Sequence, residues 1–196
     1  MAFCADSKFR SVGSVLLETP LESESTLPRT MLEDLHRVAW AALPRPEWSG
    51  PEEIPEALRQ LAASATEDEG RAAYSRVLFA FGNNHGGTYY PAVLEALPFL
   101  GEILRSEEPW PRSTTLDILI DLAVSFEPEP GFELVELDGG GAKQLATLVR
   151  EEIEALLPAV REVAEGSPPE SREGSLARDL LTAFHRTDDG CSDGNG

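Results

Sequence analysis

The sequence predicts an all-α fold: a short right-handed α-solenoid of antiparallel helix pairs, with about seven helices. Three observations carry that expectation. Apolar residues recur at helical spacing along most of the 196 residues, Pro and Gly clusters separate the periodic segments, and a two-helix block recurs at a fixed offset. No segment shows the strict alternation of a half-buried strand, so a sheet is not expected.

The helices are expected at 30–43, 51–64, 68–81, 91–105, 113–126, 142–165 and 170–184. In the fifth, Leu116, Leu119, Ile120 and Ala123 form one stripe, and Ile118 and Leu122 widen it past half the circumference, as in a helix enclosed by neighbours. Asp117 and Asp121, one turn apart, are left on its polar side. There a solvated face is favoured over paired acid–base work or an ion clamp. The sixth carries a narrower stripe of Leu145, Leu148, Val149, Ile153, Leu156, Val160 and Val163, with Glu151, Glu152 and Glu162 outside it. Residues 1–28 are expected as a poorly patterned arm and 187–196 as a flexible tail, around a single domain at 29–186.

Displacing the chain by 60 residues sets Pro98 on Pro158, Glu102 on Glu162, Ile103 on Val163, Pro109 on Pro169, Arg112 on Arg172, Leu116 on Leu176, Ile120 on Leu180 and Ala123 on Ala183 without a gap. Each copy holds a helix interrupted by proline, a Pro-containing turn, and a second helix opened by arginine. Proline inside a helix removes a backbone hydrogen bond and crowds the carbonyl four residues back, so both first helices are expected to bend at the same place. About 15 of these residues belong to an acidic insertion, EPEPGFELVELDGGG at 127–141. That leaves a period of about 45, within the ~40–47 of HEAT-type repeats.

From about Ala57 to Leu122, the LRQL at 58–61, the HGGTYYPAVLEALPFL at 85–100 and an arginine followed by LDILIDLA resemble bacterial HEAT-repeat proteins carrying a His-x-Gly-Thr-x-Tyr-Pro-Ala pattern. The likeness covers roughly two thirds of the chain when the weaker C-terminal repeat is included. It implies a HEAT/armadillo-like α-solenoid without catalytic activity, of a kind encoded among toxin and immunity cassettes. The N-terminal arm and the acidic insertion depart from that pattern, so no partner carries over from relatives.

A formal net charge of −19 repels phosphates and anionic lipid surfaces, which argues against nucleic acid or membrane as partner. No uncharged apolar stretch approaches the ~18–20 residues of a membrane span, and even LDILIDLAV is broken by Asp117 and Asp121. Cys4 and Cys191 are too few for a disulfide framework or zinc cluster, and the longest early apolar run, Val15-Leu16-Leu17, is too short for a signal-peptide core. A soluble cytoplasmic chain without cofactor or metal is expected.

The motif at 82–91 is read as structural. Pro91 suits the first helical turn, Gly86 and Gly87 permit the backbone turn, and Thr88 or Tyr90 lies near the cap, Thr88 being the better capping side chain. His85 is expected to tie the turn to a neighbouring helix. The sequence offers it no nearby cysteine and no second histidine at metal spacing, and His36 and His185 are far away.

Charge placement is the functional hint. Between Gly101 and Gly141 lie ten acids, Glu102, Glu107, Glu108, Asp117, Asp121, Glu127, Glu129, Glu133, Glu136 and Asp138, against two bases, Arg105 and Arg112. Phe126, Phe132, Leu134, Val135 and Leu137 in or beside the insertion either anchor a partner or fold onto the repeat core. The candidate partner-binding residues are Glu107, Glu108, Trp110, Asp117, Asp121, Glu127, Glu129, Phe132, Glu133, Glu136 and Asp138; His85, Gly87, Thr88, Tyr90 and Pro91 form the structural loop motif. The expected role is a non-enzymatic protein-binding solenoid that occludes one basic protein, as an immunity protein or antitoxin does to its cognate toxin. The alternative is a general scaffold or regulatory subunit.

Overall fold

The computed structural model describes residues 31–137 and 139–189; the expected N-terminal arm, Asp138 and residues 190–196 of the expected tail lie outside the described residues. The chain is mostly helical. Six α-helices, α1 (Glu53–Ala62), α2 (Glu67–Phe81), α3 (Ala92–Leu104), α4 (Pro109–Ile120), α5 (Leu145–Gly166) and α6 (Arg172–Asp189), follow an opening pair of 3-10 turns at Met31–Arg37 and Trp40–Ala42. Helices pack as α1 on α2, α3 on α4 and α5 on α6. Across these pairs α1, α3 and α5 make one row, and α2, α4 and α6 the other. One apolar core runs through both rows, from Leu35 and Trp40 to Leu180 and Phe184.

Local chemistry sets the ends of these elements. Thr66 caps α2, its hydroxyl accepting from the Glu69 N–H at 3.3 Å while the Glu69 carboxylate accepts from the Ala65 N–H at 2.7 Å. Helix α4 begins at Pro109, four residues before the expected Ser113. Pro109 and Pro111 fall in the first turn, where a missing N–H costs no intrahelical bond. Pro98 and Pro158 both lie inside continuous helices, at exposed positions. The expected first helix at 30–43 is instead two 3-10 turns, held by the Trp40 indole N–H donating to the Leu35 carbonyl at 2.7 Å and by Arg45 reaching the carbonyls of Trp40, Ala41 and Leu43.

The expectation of no sheet fails. A sheet is present: β1 (Gly82–Asn83) pairs antiparallel with β2 (Thr88–Tyr89), and β2 pairs parallel with β3 (Glu127–Pro128). A separate hairpin joins β4 (Leu134–Glu136) to β5 (Ala142–Gln144), so α5 starts at Leu145 rather than at residue 142. The acidic insertion therefore carries β3, β4 and the turn that leads into β5. The fifth predicted helix reaches Ser125, one residue short of its expected end, but changes pitch on the way. After Ile120 the backbone widens into a π turn, Asp121–Ser125, closed by the Phe126 N–H donating to the Asp121 carbonyl at 2.8 Å.

Candidate functional site

The loop motif and the acidic insertion, 41 residues apart in sequence, meet in the three-stranded sheet. Gly82 makes this possible: a Cβ there would collide with the Thr88 carbonyl oxygen, so only glycine lets β1 approach β2 so closely. The Glu127 N–H donates to the Gly87 carbonyl at 2.9 Å and the Glu129 N–H to the Tyr89 carbonyl at 2.8 Å. Thr88 does not cap α3; its hydroxyl donates to the Glu129 carboxylate in a short hydrogen bond. Pro91 takes the position immediately before α3 at φ −54°, without a side-chain cap. His85 is exposed, and Asn83 holds the turn, its Oδ1 accepting from the backbone N–H groups of His85 and Gly86 at 3.1 and 3.0 Å. The Tyr90 ring lies 4.9 Å from Phe132, tilted by 51°. Burial first, then the charges of Glu129 and Glu47, raise the Tyr90 phenol above its ordinary value.

The insertion's apolar residues divide between the two expected roles. Phe126 and Val135 pack against the core, whereas Leu134 and Leu137 are 61% and 41% exposed. Its acids divide as well. Glu129 is held by Thr88, and Glu133 accepts from the Gly131 N–H on both carboxylate oxygens at 3.0 Å, an arrangement that lowers its pKa. Glu127 and Glu136 stand exposed.

The remaining candidates gather elsewhere. Trp110, Asp117 and Asp121 line a groove of about 480 Å³ between α2, α4 and α6. At its floor Gly70 of α2 lets α4 approach, since a Cβ there would lie 2.7 Å from Thr114 Oγ1. The Asp117/Asp121 face is half-buried on this groove and takes contacts from both flanking helices. Arg172 Nη2 sits 2.6 Å from Asp117 Oδ2, and the Tyr74 hydroxyl donates to Asp121 Oδ2. Burial, followed by that hydrogen bond, raises the Tyr74 phenol well above the usual tyrosine value. Glu107 and Glu108 are exposed just before α4.

Sequence reasoning missed Tyr74, Arg172 and Asp179 of this groove, and the exposed pair Trp48 and Phe79, whose rings stack at 5.4 Å. Only Arg172 left a trace, as the repeat equivalent of Arg112. No family model matches the chain, and no curated protein or solved structure matches it at a significant level. Among the described residues no helix is long and apolar enough to cross a membrane.

Proposed function

We propose that the chain is a HEAT-like α-solenoid of antiparallel helix pairs, acting without catalysis in the cytoplasm as an immunity protein that occludes one basic toxin. The two rows of helices and the recurrence at 60 residues support the architecture. The net charge of −19, the few cysteines and the resemblance to proteins of toxin and immunity cassettes support the role. One observation carries the reading: an acidic hairpin rooted by the sheet and the Tyr90–Phe132 contact, with Leu134 and Leu137 left exposed beside carboxylates. Carboxylates steer a basic surface toward the hairpin, and leucines buried on contact slow its release.

The test is capture at moderate salt from the source cells, followed by association kinetics on the basic protein retained at fixed stoichiometry. Glu129 and Glu133 hold the loop together, so the informative double variant is Glu127→Lys with Glu136→Lys. It should lower the association rate by about tenfold at unchanged stability. Unchanged kinetics would remove the insertion from the mechanism. The Trp48–Phe79 pair offers a second exposed anchor and favours the scaffold reading if several partners are retained at lower than fixed ratio.

A further inference from the structure

The groove between α2, α4 and α6 is enclosed on three sides and has both apolar and charged walls. Tyr74, Trp110, Ile120 and Leu176 give it aromatic and aliphatic surface, all four being half-buried. Both of its cations are already paired: Arg71 Nη2 lies 3.0 Å from Glu67, and Arg172 Nη2 lies 2.6 Å from Asp117. Asp121 receives only the neutral Tyr74 hydroxyl, and neither it nor Asp179 is in an ion pair among the described residues. The lining therefore carries two uncompensated negative charges beside two aromatic rings.

Those properties select among ligands. An anion would meet carboxylates whose neighbouring arginines are engaged. A divalent ion fits poorly, since the described residues gather no set of three metal-ligating side chains. A neutral apolar group would leave Asp121 and Asp179 without a counter-charge. A planar cation on an alkyl stem satisfies every wall: its stem lies along Ile120 and Leu176, its face against Trp110 or Tyr74, and its N–H fork on Asp121. Carboxylates alone would be an ordinary wet surface. Enclosure and aromatic walls in about 480 Å³ distinguish this place from the rest of the acidic exterior.

We propose that this groove receives an arginine side chain of the basic partner, as a second point of attachment besides the hairpin. The assignment of the arginine to a partner protein rests on the neutralisation reading above. The probe is N-acetyl-arginine N-methylamide, titrated into the isotope-labelled protein while the Trp110 indole N–H is followed, its signal assigned with Trp110→Phe. The control is the citrulline analogue, a planar urea of the same length in which an accepting oxygen replaces one NH2 group and the charge is lost. The arginine probe should shift the Trp110 signal saturably, with the citrulline probe weaker by about tenfold or more. Asp121→Asn should bring the arginine probe down to the citrulline level. Asp179→Asn, at an exposed position away from the Tyr74 contact, should weaken it in the same direction and covers the case in which Asp121→Asn does not fold.

Absence of a saturable shift, equal binding of the two probes, or unaltered binding in Asp179→Asn together with any folded Asp121→Asn overturns the proposal. If the probe fails while a basic protein is still captured, the groove is removed and the neutralisation reading stands. If the probe binds and no basic protein is ever captured, the guanidinium site stands and the neutralisation reading falls.

Discussion

Two tyrosines show how single side chains set the chain's response to pH. Tyr89 is 1% exposed and its phenol is pushed up to about 12 by burial, with the charge of Glu127 adding to the shift; Tyr74 is raised further by burial and by its bond to Asp121. In the unfolded chain both ionise near the ordinary value of about 10. The folded state thus holds more protons than the unfolded state above about pH 10. The stability this contributes is complete below that pH and is lost as the pH rises toward 12 and beyond. Thermal unfolding should show a midpoint that is level from about pH 7 to 9 and then falls by about 2–4 °C for each kcal/mol forfeited. Tyr89→Phe and Tyr74→Phe should each reduce that alkaline slope, and a slope indifferent to both would show that other groups control it. Neither shift could be read from the sequence, because each depends first on burial and then on a carboxylate brought close by folding.

At the scale of elements, the decisive contact is the one between β2 and β3. Thr88→Val keeps the β-branched shape and removes the hydroxyl donor to Glu129, which should cost about 1–2 kcal/mol. Hydrogen exchange would localise the effect: amides of Glu127 and Glu129 should exchange faster while those of α3 and α5 keep their protection. Equal loosening across the helices would mean that the sheet is part of the core. The long helices were legible in the sequence, since α3 and α5 bury stripes whose period survives an interior proline. The strands were not, because β1, β2 and β3 each have two residues and no alternation can be read over that length. The hairpin did leave a signal. The glycines 139–141 all take positive φ between two strand-like runs, a turn signature that the surrounding charge obscured.

For the whole molecule, the net charge of −19 sets a long-range field that the local sites focus. Under the proposed function, capture of a basic partner should slow by about tenfold or more between about 0.05 and 0.5 M salt, as the screening length contracts from roughly 14 to roughly 4 Å. Stopped-flow measurement checks this, and a salt-independent rate would make the acidity a matter of solubility. The sequence placed the acids correctly along the chain but could not say that folding divides them between a hairpin and a groove. That division follows from where α4 ends, at a π turn that leaves Asp121 facing α2 and sends Glu127 to β2. The parallel clasp also dictates an order of assembly. Thr88 and Glu129 are 41 residues apart, so their contact carries a loop-closure cost that no helical turn bears, and the sheet is expected to close after the helices it joins. Lesions in the clasp should then raise the unfolding rate and leave the folding rate unchanged.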